Sequence, residues 1–244
     1  MTVIVVSGTG TEIGKTVTTA AVAALAVGAG RRVAVLKPAQ TGVAPGEPGD
    51  AQEVVRLAGD AVTTLELARY PEPLAPNTAA RRAGMAPVRP YEVAEAAEKL
   101  AAEHDLVLIE GAGGLLVRYD DEGATLADAA RLLAAPVLVV ASAGLGTLNT
   151  TTLTAEALRA RELTPLGVTV GSWPTTPDLA SRCNLADLPQ SAGAKLLGAI
   201  PAGAGTLSGT DFRTRAGSWL GPELGGEWDA ATFTAREAPG ALEV

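Results

Sequence analysis

Residues 3–16 read Val3-Ile4-Val5-Val6-Ser7-Gly8-Thr9-Gly10-Thr11-Glu12-Ile13-Gly14-Lys15-Thr16, and their reading decides the fold. Val3 to Val6 are apolar and mostly β-branched, the pattern of a short strand buried on both faces. Ser7 to Gly10 are loop residues. Gly14-Lys15-Thr16 then opens an apolar run, Val17 to Val27, that predicts a helix. Strand, glycine loop, Gly-Lys-Thr and helix together describe a phosphate-binding loop. Backbone N–H groups at the helix start face an anion, and the helix dipole favours negative charge there. Lys15 adds a full positive charge for β- and γ-phosphates, and the Thr16 hydroxyl suits Mg²⁺. The spacing departs from the standard motif, because five residues rather than four separate Gly8 from Gly14. A plain strand-to-helix turn with a solvated lysine would use the same glycines. The agreement of strand, loop, Lys-Thr and helix favours the phosphate loop.

Composition narrows the class. The chain has 244 residues, enough for one large α/β domain. It has a single cysteine, Cys183, which excludes an internal disulfide and a cysteine-based metal cluster. A single histidine, His104, excludes a multi-histidine metal site and reads as a surface or helix-end residue. The net charge of −8 argues against a surface that tracks nucleic-acid phosphates. The chain opens directly on a strand, with no basic n-region, and holds no bilayer-length apolar run. The expectation is a cytoplasmic protein with no nucleic-acid or membrane partner.

Outward from the first helix, Val33 to Leu36 reads as a second strand running into Lys37-Pro38. Pro38 cannot continue a ladder, which places Lys37 at the strand's carboxyl end. Ala39 to Asp50 is rich in Gly and Pro and reads as a flexible loop. Ala51 to Leu57 is helical in pattern, Tyr70 to Pro76 irregular, and Tyr91 to Glu103 helical. Leu106 to Ile109 is a buried strand ending in Glu110, followed by Gly111-Ala112-Gly113-Gly114. Thr125 to Leu133 predicts a helix, Val137 to Ala141 a strand, Asn149 to Glu162 a helix. Leu166 to Val170 and Leu197 to Ile200 are further strands, and Leu207 to Leu220 holds one more helix. Alternating strands and helices predict an α/β fold, a mostly parallel sheet with helices on both faces. One domain is expected over residues 1–220, with 221–244 a loosely ordered C-terminal tail.

In such sheets ligands bind beyond the carboxyl ends of the strands. Glu110 there is a hard oxygen ligand where Mg²⁺ would sit beside a phosphate loop; alternatively it is an exposed strand-end residue. Lys37 leaves a neighbouring strand towards the same end. It is either a snorkelling edge residue or a group that binds developing negative charge. Thr41 and Asp50 lie on the loop that follows. Gly144 to Asn149 precedes a helix and reads either as a second anion-binding start or as a plain turn capped by Asn149.

Four segments together resemble the dethiobiotin synthetase family: Gly8 to Thr16, Lys37-Pro38 with Thr41-Gly42, Glu110 to Gly114, and Leu145 to Asn149. They stand in the family's order and spacing, and the resemblance spans roughly residues 1 to 220. It implies a fold of the P-loop NTPase type. It also implies carboxylation of 7,8-diaminopelargonic acid with CO₂ and closure of a ureido ring, driven by ATP with Mg²⁺. A carbamate and a carbamic–phosphoric anhydride are the implied intermediates. By motif match, Lys37, Lys15 and Thr11 fall at catalytic positions, and Thr16, Asp50 and Glu110 at metal positions. Glu12, Ile13, Gly14, Lys15, Thr16 and Val17 match the nucleotide's phosphate side, with Glu110, Gly111, Ala112 and Gly113. Gly171, Ser172, Ile200, Pro201 and Ala202 match its base side. Thr41, Gly146, Thr147 and Asn149 match substrate positions, the last three reaching into a neighbouring subunit and so implying a homodimer. Two departures stand out: Thr150 replaces a common His, and Gly171 a common Asn. The second implies weaker selectivity for the adenine base, with Trp173 stacking and other nucleoside triphosphates also reacting. The rival reading is a partition-type ATPase switch, which shares the fold; a third is an amide-forming ligase acting on another acid.

Overall fold

The computed structural model describes residues 2–238. A sheet of seven strands, all paired in parallel, has the order β3-β2-β4-β1-β5-β6-β7 among the described residues. Its strands are β1 Thr2–Gly8, β2 Val33–Thr41, β3 Val62–Tyr70, β4 Leu106–Glu110, β5 Val137–Ala141, β6 Pro165–Trp173 and β7 Leu196–Pro201. The helices are α1 Lys15–Gly28, α2 Asp50–Ala58, α3 Pro76–Ala83, α4 Pro90–Glu103, α5 Leu126–Leu132, α6 Thr147–Arg159, α7 Leu179–Ala192, α8 Gly209–Arg215 and α9 Ala230–Glu237.

Strand β1 is central because its apolar residues can be buried on both faces. Ile4 packs in one core layer with α1, α2 and α8, and Val5 in the other with α3, α4 and α5. The first layer is Ala-rich along α1, which lets that helix lie close to the sheet; Phe212 and Trp219 close it edge-to-face at 5.2 Å between ring centroids. Register then fixes the site. Val6 pairs with Glu110, Gly8 with Val140, and Leu36 with Ile109. The ends of β1, β2 and β4 therefore deliver the phosphate loop, Lys37 and Glu110 side by side.

Three expectations are corrected. Pro38 ends the pairing of β2 with β4 at Leu36, yet β2 continues to Thr41 by pairing with β3 through Ala39, Gln40 and Thr41. Lys37 is thus inside a strand, and the flexible loop begins after Thr41. The second correction is β3 itself, an edge strand with no counterpart in the periodic reading. The third concerns the tail. Pro222–Leu224 forms a 3-10 turn, and α9 caps its start with Asp229, whose carboxylate accepts from the Thr232 backbone N–H at 2.8 Å. Trp228 and Phe233 are buried against β6, β7 and α7, with Phe233 5.4 Å from the Trp173 ring and 5.3 Å from that of Trp228. Residues 221–238 are therefore packed structure; 239–244, the rest of the expected tail, lie outside the described residues.

Candidate active site

The phosphate loop leaves β1 and turns into α1 through Gly14, whose φ of +94° is a left-handed conformation. Gly14 has no side chain to cap α1, and the first turn, Lys15 to Thr18, has no acid, so the helix start keeps its positive field for an anion. The loop is held from below by a close backbone approach. A Cβ on Gly14 would lie 2.2 Å from the Gly171 carbonyl oxygen, and one on Gly171 would lie 2.1 Å from that of Ile13. Strand β6 and the loop touch main chain to main chain, which only glycine on both sides permits.

Two buried charges and a half-exposed one, Lys37, Glu110 and Asp50, meet above the loop. Lys37 is 3% exposed and Glu110 1%. The Lys37 ammonium donates to Glu110 Oε1 at 2.9 Å and to the Gly111 carbonyl at 3.2 Å, and pairs with Asp50 Oδ2 at 2.5 Å. Thr16 Oγ1 donates to the same Glu110 oxygen at 2.8 Å. Burial alone pushes Lys37 down, but Glu110 and Asp50 outweigh it and hold the lysine above its ordinary value. Lys15 differs. Burial, then the Lys37 charge, lower it, and the attraction of Glu110 and Asp50 does not compensate. Its ammonium donates to the Gly10 carbonyl at 2.7 Å.

These groups line a cavity of about 920 Å³. It brings together Thr11, Glu12, Gly14, Lys15, Thr16, Val17, Lys37, Thr41, Asp50, Glu110, Gly111, Ala112 and Gly113 of the expected residues. Ile13 lies beneath, packed under Gly8. The base-side expectation fares differently. Gly171 is pressed on the loop backbone, Ser172, Pro201 and Ala202 are exposed, Ile200 is in the core, and none lines this cavity. Trp173 is 6% exposed, its ring edge-on to Phe233 and its indole N–H donating to Glu237 at 3.3 Å, so it is not free to stack on a base. Gly146, Thr147 and Asn149 also lie away from the cavity: Gly146 starts α6 at φ +92°, and Asn149 and Leu145 are exposed. His104 ends α4 and bonds the Leu100 carbonyl and the Thr63 hydroxyl, far from a catalytic role.

The cavity also holds residues the sequence reading passed over. Gln40, buried at 4% exposure, and an apolar wall of Pro73, Leu74, Ala75, Pro76 and Val117 line it. All of the wall but Val117 comes from the stretch Pro71 to Pro76 that leads from β3 into α3, whose three prolines mark irregular backbone without showing what it faces.

The donor set fits a divalent cation. Glu110 Oε2 is buried without a hydrogen-bond partner among the described residues, beside the Thr16 hydroxyl and the Asp50 carboxylate. No group of three or more His, Cys, Asp and Glu side chains suited to a metal occurs among the described residues. One or two carboxylates completed by substrate phosphates is how Mg²⁺ is usually held.

Fold and site define a P-loop nucleotide-dependent protein whose phosphate loop sits beside a buried lysine–carboxylate cluster. The model of the AAA domain family matches residues 2–206. The ATP-dependent dethiobiotin synthetase BioD of Streptomyces avermitilis is 75% identical over 239 residues, covering 98% of this chain and all of the relative. That of Streptomyces coelicolor is 69% identical over the same shares, and that of Saccharopolyspora erythraea 67% over 93% and 99%. The chain belongs to the dethiobiotin synthetase family and is an ATP-dependent ligase of biotin biosynthesis. Among solved structures, a ParA family ATPase from Chlorobium tepidum superposes with a TM-score of 0.56 at 12% identity, over 87% of this chain and 90% of that one. The septum site-determining protein MinD of Pyrococcus horikoshii, complexed with Mg-ADP, gives 0.55 at 16% identity over 100% and 99%. At such identity these likenesses show the P-loop NTPase fold alone, and they leave the partition-ATPase reading without support. No helix among the described residues is long and apolar enough to cross a membrane.

Proposed function

We propose that this ligase carboxylates 7,8-diaminopelargonic acid with CO₂ and closes the ureido ring of dethiobiotin, giving ADP and phosphate through a carbamate and a carbamic–phosphoric anhydride. The observation that carries the proposal is the convergence of Lys15, Lys37, Thr16, Asp50 and Glu110 in one cavity at the ends of β1, β2 and β4. Lys15 and the start of α1 grip the β- and γ-phosphates. Lys37, standing deeper in the cavity, holds the carbamate oxygen and the transferring phosphoryl group as negative charge builds on them. Thr16, Asp50 and Glu110 would hold Mg²⁺, which neutralises charge between the phosphates. Thr11 and Thr41 offer hydroxyls at the cavity mouth. The wall of Leu74, Ala75 and Val117 suits an aliphatic chain between polar ends.

Gly146, Thr147 and Asn149 serve a second copy: they hold the substrate carboxylate from across a homodimer. What supports this is that Gly146 and Asn149 are exposed at the start of α6 and that these residues, with the buried Thr147, lie outside the cavity of their own chain. Mixing Lys37→Ala protein with Asn149→Ala protein should restore activity through heterodimers carrying one intact site; no restoration refutes sharing. With no side chain at Gly171, the base is read by backbone alone, and nucleoside triphosphates other than ATP react as well.

The test of the reaction is ¹³C-bicarbonate with ATP, with and without the diamine. Label in dethiobiotin and phosphate release that depends on the diamine are expected. Phosphate release indifferent to the diamine would refute the reaction and favour a ligase acting on another acid.

A further inference from the structure

We propose that Gln40 is a positioning residue: it fixes the Asp50 carboxylate beside Lys37 and Glu110, and so sets how strongly the site binds a divalent cation. The inference rests on Asp50 holding the ion, as proposed above. Asp50 is the first residue of α2, so its backbone N–H has no partner within the helix. The residue before it is Gly49, which has no side chain to cap with. Gln40 supplies the cap from a neighbouring strand: its Oε1 accepts from the Asp50 N–H at 2.8 Å, and its Nε2 donates to the Thr41 carbonyl at 3.2 Å. Both ends of a buried amide are thereby tied, one to the helix that carries Asp50 and one to the strand that carries Lys37.

The approach is close enough that a side chain at Gly49 would have to displace the Gln40 amide. A Cβ on Gly49 would lie 2.7 Å from Gln40 Oε1 and 3.0 Å from Arg69 Nη2. Arg69, paired in register with Gln40, completes the clamp. Glu66 orients its guanidinium at 2.7 and 2.9 Å, and Nη1 donates to the Glu47 carbonyl at 2.6 Å and to that of Ala44 at 3.2 Å. The loop from Ala44 to Asp50 is therefore fastened from two adjacent strands, and Asp50 reaches Lys37 from a fixed origin.

Calorimetry on the whole protein tests this. The probe is a non-hydrolysable ATP analogue, titrated with saturating Mg²⁺ and again with EDTA; the ratio of the two Kd values is the metal's contribution. Gln40→Met keeps the shape and removes the acceptor. It should cut that ratio by about 10–100-fold, the usual effect of losing a group that orients a metal ligand, while the Kd in EDTA stays within twofold. Gln40→Glu keeps the acceptor and should restore the ratio to within about threefold of wild type. A cap with a merely structural role would lower Tm and leave the ratio unchanged, and that result in folded Gln40→Met overturns the proposal. Should Gln40→Met not fold, Gln40→Asn, which withdraws the acceptor by one methylene, is read by the same ratio. Asp50→Asn separates the two layers. If it leaves the ratio unchanged, the metal reading falls and this inference with it; if it lowers the ratio while the Gln40 variants do not, only the positioning role falls.

Discussion

A methyl group at Gly171 should disable the phosphate loop although Gly171 lies outside the cavity. Its Cβ would stand 2.1 Å from the Ile13 carbonyl oxygen and 2.5 Å from Val140 Cγ1. Ordinary contact begins at 3.4 Å, so the loop must retreat by about 1.3 Å, because close-packed interiors transmit such strain instead of absorbing it. Ile13 immediately precedes Gly14 and Lys15, which line the cavity and, in the proposed reaction, grip the phosphates. A misplacement of about 1 Å in a group that positions substrate is worth about 100-fold in rate, or about 2.7 kcal/mol. Gly171→Ala is therefore expected to lower kcat/KM for ATP about 100-fold, alongside an overpacking cost of about 1–3 kcal/mol in stability. Gly171→Asn, the exchange suggested by the family's common residue, carries the same Cβ and should behave no better. It cannot be read as restoring a base contact. The control is Gly28→Ala at the end of α1, where the added Cβ meets nothing within 4 Å. Steady-state kinetics of each variant at matched folded fraction decide the matter. Gly171→Ala with kcat/KM within threefold of wild type would refute the claim that the loop is held by this contact.

Three further outcomes are expected. Lys37→Gln, which keeps a donor for the buried Glu110 carboxylate but removes the charge, should lose about 2.7–4 kcal/mol of transition-state stabilisation, read as a 10²–10³-fold fall in kcat; a fall under fivefold would remove Lys37 from the chemistry. Lys15 is held below its ordinary value of 10.5 by burial and by Lys37, and a bound triphosphate must raise it. Nucleotide binding at alkaline pH should therefore take up a proton, so that affinity declines as pH rises through the free site's lowered value. Calorimetry in two buffers of different ionisation enthalpy reads this directly, and a binding heat independent of buffer would contradict it. Phe233→Ala should cost about 3 kcal/mol by urea unfolding, since its ring packs between Trp173 and Trp228; a cost below about 1 kcal/mol would mean that α9 is not part of the core.

Much of the architecture was legible because parallel strands buried on both faces read as continuous apolar runs. Val137–Ala141 was found residue for residue, and β1, β4 and α1 nearly so, which was enough to bring Lys15, Thr16 and Glu110 together. Strand β3 was missed for the opposite reason. At the edge of the sheet only its ends, Val62 and Tyr70, are buried; the residues between, including Thr63, Thr64, Glu66 and Arg69, are exposed or half-buried, so it carries no buried apolar run. Helix α7 was hidden by Pro189 in its last turn, where an isolated proline reads as a stop. The tail was misread because its core contacts depend on a few aromatic anchors, Trp228 and Phe233, spaced without a period.

Gln40 escaped for a subtler reason, and the reason explains the site. Strict alternation along β2 would put Lys37 and Gln40 on opposite faces. Val33 and Val35 pack in the layer of α1 and α2, and Ala34 and Leu36 in the other layer; but Ala39, an odd step from Leu36, joins that other layer too. The ladder with β4 ends at Leu36, next to Pro38, whereas the register with β3 runs through Pro38 without a shift. Lys37 and Gln40 nonetheless line the same cavity, and Gln40 meets the start of α2. Release of β2 from β4 leaves the cavity open above Glu110, and the Gln40 amide ties the helix carrying Asp50 back over it. The two carboxylates this assembles neutralise Lys37 in place, whereas Lys15 stays under-compensated among buried groups. In the proposed reaction a bound triphosphate would relieve that imbalance through Gly14, Lys15 and Thr16. The grip on nucleotide is therefore built into the turn from β1 to α1, and the chemistry into the release of β2 from β4.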